Sequence, residues 1–156
     1  MPRMTGSWLS GPSAALPPPD PTKQDAYRGE SLGLPARGPG SLVGMGRRVL
    51  AMFVDWLIAY GLAALVLGGL DTKIGEVTLA IWFVFGVATV TLFGFTPGQY
   101  FTGTTVIRVD APVRVGFVRA LARSSLLVFV VPALFTDSAG RGMHDRATGT
   151  AIVRSR

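Results

Sequence analysis

Two charged residues near the start of a long apolar run are the best candidates in this sequence for chemistry. Arg48, Ala51 and Asp55 follow one another at i, i+3 and i+7, which places their side chains on one face of a helix. Asp55 is the only charged residue between Val49 and Leu70. A carboxylate in surroundings of low dielectric constant can exchange a proton, so Asp55 could take part in a proton or cation pathway.

Arg48 and Asp55 cannot neutralise each other directly. Their separation along a helix axis is about 10.5 Å, which is longer than a salt bridge. Each residue therefore needs other partners, and the motif around Asp145 is the leading candidate. A structural polar contact that holds two helices together is the alternative to a proton pathway. The other candidate partners are Asp137, Arg141, His144, Arg146 and the arginines of residues 99–123.

The apolar runs themselves predict an all-α integral membrane protein. Residues 49–70 and 77–95 are each long enough, at about 1.5 Å per residue, to cross a hydrocarbon core about 30 Å thick. A third apolar segment, at about residues 117–136, is short and broken by Pro132. It could span the membrane or re-enter, and re-entry would keep the basic regions before and after it on one side.

Composition and charge support the same class. Hydrophobic residues make up 49% of the 156 residues and charged residues only 15%, while the net charge is +6. Arginines 37, 47 and 48 precede the first run and a short, slightly acidic turn follows it, which predicts a cytoplasmic N-terminus. Because no basic patch with interleaved aromatic residues occurs, nucleic acid is not an expected partner, whereas the lipid bilayer is.

The ends of the chain differ in character from its apolar middle. Residues 1–43 are rich in Pro and Gly, and they predict a disordered cytoplasmic tail. Residues 104–109 are rich in β-branched side chains, and residues 149–154 are similar. These two short strands could form a β-pair on the cytoplasmic side.

The sequence favours neither enzyme nor cofactor chemistry. It contains no Cys and one His, so a metal site would have to rely on carboxylates alone. It also has no nucleophile-elbow pattern and no phosphate-binding loop. We therefore expect no catalytic residues, no cofactor and no metal.

Several motifs in order resemble the RDD family of bacterial multi-pass membrane proteins, which is named for one arginine and two aspartates. The motifs are Arg48-x-x-Ala51-x-x-x-Asp55, Thr96-Pro97-Gly98-Gln99, the segment 103–110, the segment 119–123 and the segment 142–153. The resemblance covers residues 44–153. It implies that Arg48 and Asp55 are the signature arginine and first aspartate, with Asp145 as the second. The supporting residues are Ala51, Pro97, Gly98, His144 and Arg146.

The resemblance implies a location in the bacterial plasma membrane, and two hypotheses for function follow from it together with the shortness of the chain. The first is a transport-related role, cation/proton exchange by an oligomer that uses Asp55 as its protonatable site. The second is a non-catalytic accessory or assembly subunit of a larger membrane complex. A chain with two or three membrane segments cannot readily enclose a pathway on its own, so both hypotheses require a homo-oligomer or another protein partner.

Overall fold

The computed structural model describes residues 26–129 and 141–156. Within these ranges the fold is mostly helical, with two long helices and a small two-stranded sheet. The long helices are α1 (Met45–Leu67) and α2 (Ile74–Phe93). The remaining elements are a short 3-10 helix (Glu30–Leu32), α3 (Pro97–Phe101), β1 (Thr104–Arg108), α4 (Phe117–Val128), α5 (Met143–Ala147) and β2 (Thr150–Arg154).

Helices α1 and α2 are the two predicted membrane spans, with bounds a few residues earlier than the sequence predicted. Both are long and apolar enough to cross a bilayer. Only 17% of the most apolar 18-residue stretch of α1, and 22% of that of α2, is buried within the protein. The core helix of a soluble protein would be mostly buried, so this exposure suits a surrounding of lipid. Each helix ends at a glycine with positive φ, Gly68 at 73° and Gly94 at 80°.

The face of α1 that begins with Arg48 is the face that packs against the rest of the protein. Ala51, Ala59 and Ala63 continue it and are almost fully buried. Small side chains at these positions let neighbouring backbones come close, as is typical of helix contacts in membranes. Trp56 and Trp82 also meet between α1 and α2, with ring centroids 6.4 Å apart. The helical face predicted from the i, i+3, i+7 spacing is therefore the inward face.

Strands β1 and β2 pair antiparallel, which confirms the predicted β-pair. Thr104 lies opposite Arg154 and Val106 opposite Ile152. Val106 and Ile152 both belong to the main apolar core, because alternate β-branched side chains point to the same face of the sheet. The same core contains Val43, Val87, Val90, Val115 and Ala120, so the sheet packs against the last turns of α2 and against α4.

Residues 26–43 of the predicted tail are described, and they include the 3-10 helix at Glu30–Leu32 and a strand-like pairing at residues 41–43. Leu42 forms a β-bridge with Val153, and the Val43 N–H donates to the Ile152 carbonyl at 2.9 Å. Val43 is only 1% exposed. The physical reason is that β1 covers only one edge of β2, so the other edge has backbone groups with which Leu42 and Val43 can pair. Residues 1–25 of the predicted tail lie outside the described residues.

The described part of the third apolar segment is helix α4. One stripe of this helix is buried, formed by Ala120, Arg123, Ser124 and Leu127 at i, i+3, i+4 and i+7. At about 1.5 Å per residue this helix is about 18 Å long, which is shorter than a hydrocarbon core. Residues 130–136, which complete the predicted segment, lie outside the described residues.

The sheet lies at the end of the molecule where α1 begins and α2 ends, here called the sheet end. Val43 pairs with β2 two residues before α1 starts, and the Val106 N–H donates to the carbonyl of Gly94 just after α2. The turn at residues 68–73 lies at the opposite end. Basic residues are concentrated at the sheet end. The opposite end has one basic residue, Lys73, beside two acidic residues, Asp71 and Glu76.

Candidate functional site

A buried set of charged and polar side chains at the sheet end forms the centre of the candidate site. Asp145 of α5 is fully buried, and Arg48 and Arg123 are 5% and 3% exposed. Arg48 Nη1 lies 3.4 Å from Asp145 Oδ2, and Arg123 Nη1 donates to Asp145 Oδ1. The Thr150 hydroxyl also donates to Asp145 Oδ1, at 3.3 Å. These four residues are called the Asp145 cluster below.

The Asp145 cluster joins three helices that are far apart in sequence. Arg48 comes from the first turn of α1, Arg123 from the middle of α4 and Asp145 from α5. Arg48 Nε donates to the Val43 carbonyl at 3.0 Å, which fixes its side chain against the strand-like segment before α1. A Cβ on Gly142 would lie 3.4 Å from Arg48 Nη1 and only 2.6 Å from His144 Cε1. Glycine at this position therefore lets α5 approach Arg48 closely.

The cluster holds charge in a place with little access to water. Among the described residues, two guanidinium groups meet the one carboxylate of Asp145. Removal of charges from water costs several kcal/mol each unless they are paired and hydrogen-bonded. His144 is 2% exposed and its Nε2 lies 3.3 Å from Asp145 Oδ1. The cluster therefore joins α1, α4 and α5 through charges that are removed from water but paired.

A second polar contact lies further along the same face of α1. Asp55 Oδ2 accepts a hydrogen bond from the Thr96 hydroxyl at 2.5 Å, and Asp55 Oδ1 accepts from the Gly98 N–H at 2.7 Å. Thr96 also caps α3 reciprocally with Gln99, since each side chain accepts from the other residue's backbone N–H. We call Asp55, Thr96 and Gly98 the Asp55 contact. It attaches the start of α3 to the middle of α1.

Close backbone packing explains the residue types around the Asp55 contact. A Cβ on Gly98 would collide with the Ala51 carbonyl oxygen and lie 2.9 Å from Asp55 Cγ. Pro97 occupies the first turn of α3, where a missing N–H costs nothing. The close packing of α3 against α1 therefore accounts for the residue types at Ala51, Pro97 and Gly98.

One cleft connects the Asp145 cluster with the Asp55 contact. Its volume is about 60 Å³, room for about two water molecules at 30 Å³ each. Arg48, Asp55, Arg123 and His144 all line it. Apolar side chains of α1 and α2 supply most of the remaining wall, with Ile58, Leu62, Ile81, Trp82 and Phe85 among them.

The structure brings together some of the predicted site residues and separates others. The predicted meeting of Arg48 with the motif around Asp145 is confirmed by their ion pair. The prediction that Asp55 would meet the same motif is wrong, because Thr96 and Gly98 bind Asp55 instead. The 10.5 Å or so between Arg48 and Asp55 is the physical reason, since it lets each residue face a different element. Arg146 is exposed and is not part of the cluster.

The sequence included Arg123 among several candidate arginines and Thr96 within a motif, but it singled out neither of them, nor Thr150, as a site residue. The position of Arg123 could have been inferred, because Ala120, Arg123 and Leu127 share a helix face on which a lone arginine stands out. Thr96 could have been chosen as an N-cap with Gln99 three residues later. The local sequence does not predict the hydrogen bond between Thr150 and Asp145, because that contact depends on how α5 packs against β2.

An exposed set that also joins one aspartate to two arginines lies on the surface of the sheet end. Asp110 pairs with Arg108 at 2.7 Å and with Arg119 at 2.8 Å, and Asp110 is 48% exposed. The hydrogen bonds from Arg108, followed by the charges of both arginines, hold the pKa of Asp110 below its usual range. The same hydrogen bonds raise the pKa of Arg108. This surface set gives an internal comparison for the buried one.

Metal-binding side chains do not gather in the described ranges. Across residues 26–129 and 141–156, no group of three or more His, Asp or Glu is placed to hold a metal ion. The polar groups of the cleft include two guanidinium groups, which repel cations. The arrangement is therefore suited to holding helices together.

Two apolar helices joined to an arginine-rich sheet end by buried polar contacts define a helical protein of the membrane type. The sequence profile of the RDD family matches residues 42–149, more than half of the chain. The protein therefore belongs to the RDD family. The matched range includes Arg48, Asp55 and Asp145. No curated protein and no solved structure matched the chain.

Proposed function

We propose that this RDD-family protein is a multi-pass protein of the bacterial plasma membrane that acts as a non-catalytic accessory or assembly subunit. One observation carries the proposal: the signature residues all make contacts within the chain. Arg48 and Asp145 join α1 to α5, while Asp55 joins α1 to α3. Polar contacts of this kind stabilise one arrangement of membrane helices.

The surroundings of Asp55 also favour a structural role. Both of its oxygens accept short hydrogen bonds, one from a hydroxyl and one from a backbone N–H. Arg48 and Arg123 line the same cleft. Positive charges near a passage lower the local concentration of cations, which is unfavourable for a cation pathway.

The long helices supply the surface that a partner would cover. Leu65, Val66 and Val84 are each more than 60% exposed, and Phe53 is 56% exposed. Lipid can cover such faces, and so can the helices of a homo-oligomer or of a larger membrane complex. Two spanning helices do not enclose a pathway, which is why the proposal places the protein beside other helices.

Gentle detergent extraction of the tagged full-length chain tests this role. We expect a larger membrane protein to co-purify at fixed stoichiometry, and the same complex to be recovered when the tag is moved to that partner. Asp145→Asn should weaken the association by loosening the sheet end, whereas Asp110→Asn, which changes the exposed set, should not. Recovery of free monomer alone would contradict the accessory role.

Cation/proton exchange is the second candidate, and the cleft position of Asp55 is the observation that favours it. In this case, purified protein in liposomes should dissipate an imposed proton gradient when sodium or potassium is added. Asp55→Asn should abolish the flux, and Asp71→Asn in the exposed turn should preserve it. Absence of flux from correctly oriented wild-type protein would exclude this candidate.

For topology, we propose that both termini are cytoplasmic and that the third segment re-enters. The pairing of β2 with both β1 and residues 41–43 supports this arrangement, because strands that pair lie on one side of a membrane. The excess of arginine at the sheet end supports the cytoplasmic assignment. A reporter fused after Arg156 should show a cytoplasmic location, and one inserted after Gly69 an external one. An external location for the C-terminal reporter would refute re-entry.

A further inference from the structure

A larger groove lies at the sheet end, apart from the Asp145 cluster and the Asp55 contact. It is formed between the end of α2 and residues 105–115, which include most of β1 and the chain that follows it, and its volume is about 680 Å³. Ligand sites in proteins commonly have volumes of about 300–1,000 Å³. This groove, called the β1 groove below, is therefore large enough for part of an organic ligand.

Much of the wall of the β1 groove is apolar and exposed. Phe93 is 63% exposed, Val113 is 54% exposed and Val109 is 36% exposed. Ile107, Ala111 and Pro112 also line the groove. Single exposed apolar side chains are common on protein surfaces, but a set that lines one concave surface is typical of a binding site.

The polar part of the β1 groove has more positive than negative charge. Arg108 and Arg114 line it, and Asp110 is the one acidic residue among its described lining residues. The Asp110 carboxylate already binds Arg108 at 2.7 Å and Arg119 at 2.8 Å. Arg114 is exposed, and no acidic side chain within residues 26–129 and 141–156 pairs with it. The guanidinium group of Arg114 is therefore available to an anion.

The position of the β1 groove corresponds to the surface of a bilayer. Phe93 is the last residue of the candidate spanning helix α2, so the groove begins where that helix ends. A row of aromatic rings continues from it: Phe93 to Phe95, Phe95 to Tyr100 and Tyr100 to Phe101, with centroids 5.9, 5.7 and 5.9 Å apart. Exposed aromatic side chains at the end of a spanning helix are typical of the head-group layer.

We propose that the β1 groove binds the head group of one anionic phospholipid, with its phosphodiester at Arg114 and the start of its acyl chains against Phe93 and Val113. Arginine suits a phosphodiester because its planar group presents several N–H donors in a fork. A water-soluble anion would use the arginine but would leave the apolar wall uncovered. The lipid covers both parts of the groove at once.

This inference rests on the proposed location in the bilayer but not on the accessory role. The reporter fusions test the location in cells, whereas lipid binding is measured on purified protein, so the two can fail independently. Failure to find a protein partner would leave the lipid site unaffected.

Native mass spectrometry of the full-length chain in neutral detergent measures the binding. One phosphatidylglycerol molecule should remain bound to each chain, while phosphatidylcholine with the same acyl chains should be lost. Equal retention of the two lipids would overturn the proposal. Displacement of phosphatidylglycerol by an equal concentration of inorganic phosphate would also overturn it, in favour of a free-anion site.

Arg114→Gln tests the basic part of the groove. It should weaken phosphatidylglycerol binding about fivefold, the contribution of one arginine near an anionic lipid surface. Arg47→Gln is the matched control, because Arg47 is also exposed at the sheet end but does not line the groove. Equal losses in the two variants would indicate a general attraction to basic residues and would refute the site.

Val113→Trp tests the apolar part. The larger side chain should occupy the groove and reduce the amount of bound phosphatidylglycerol, whereas Val118→Trp should not, because Val118 is 76% exposed and lies outside the groove. Both positions are exposed, so both variants should fold. A dimer in lipid-free detergent that Val113→Trp dissociates would overturn the lipid assignment, because a second copy of the chain would then occupy the groove.

Discussion

Neutralising Asp145 should destabilise the protein strongly, because this carboxylate faces two buried guanidinium groups. In Asp145→Asn the side chain keeps its size but loses its charge. Arg48 and Arg123 would then be held close together without the negative charge of Asp145. Their mutual repulsion would act in a region where Asp145 is fully buried and both arginines are at most 5% exposed.

The size of this effect can be estimated from the burial of the cluster. Removal of one partner from a buried ion pair costs about 3–5 kcal/mol, because the remaining charge stays buried. For a domain of this size, each kcal/mol shifts the unfolding temperature by about 2–4 °C. We therefore expect Asp145→Asn to lower the unfolding temperature by roughly 6–20 °C.

Thermal unfolding in detergent, followed by the fluorescence of the spanning-helix tryptophans, measures this change. Asp110→Asn is the matched control, because Asp110 also bridges two arginines but is 48% exposed. An exposed pair contributes little, so the control should unfold near the wild-type temperature. Equal shifts for the two variants would refute the argument that burial of the Asp145 cluster stabilises the fold.

Two further predictions concern the Asp55 contact. Thr96→Val should lower the free energy of unfolding by about 2–4 kcal/mol, because it removes both the cap of α3 and the hydrogen bond from the hydroxyl to the Asp55 carboxyl group. Thr96→Ser keeps the hydroxyl and should therefore keep most of the wild-type stability. Equal unfolding temperatures for these two variants would contradict a role for the hydroxyl. Gly98→Ala should force α3 away from α1 and lower the unfolding temperature, while Gly61→Ala on α1 has open space for its Cβ and should be neutral or stabilising. Tolerance of Ala at Gly98 would contradict the close packing.

Elements that depend on local pattern could be predicted from the sequence. The lengths of the two apolar runs predicted α1 and α2, and the β-branched residues around Val106 and Ile152 predicted the strand pair. The spacing of Arg48, Ala51 and Asp55 also identified the inward face of α1 correctly. These properties follow from periodicity along one element, which the sequence contains directly.

Partners that come from distant elements required the tertiary structure. The sequence placed Asp55 with the motif around Asp145, whereas the fold brings Thr96 and Gly98 to Asp55. It likewise treated residues 41–43 as tail, although they cover the edge of β2. Both differences arise because a contact depends on where two elements meet in space, and the residues of one element do not specify the other.

The apolar helices, the shared face of Arg48 and Asp55, and the resemblance to the RDD family could all be inferred from the order of the residues alone. The folded structure was needed to show that Arg48, Asp55 and Asp145 form two separate contacts, one through Asp145 and the other through Asp55. The physical reason is the rise of the α1 helix, about 10.5 Å between Arg48 and Asp55, which lets two residues on one face meet different elements. The same separation leaves a cleft between the contacts, basic at one end and apolar along its side.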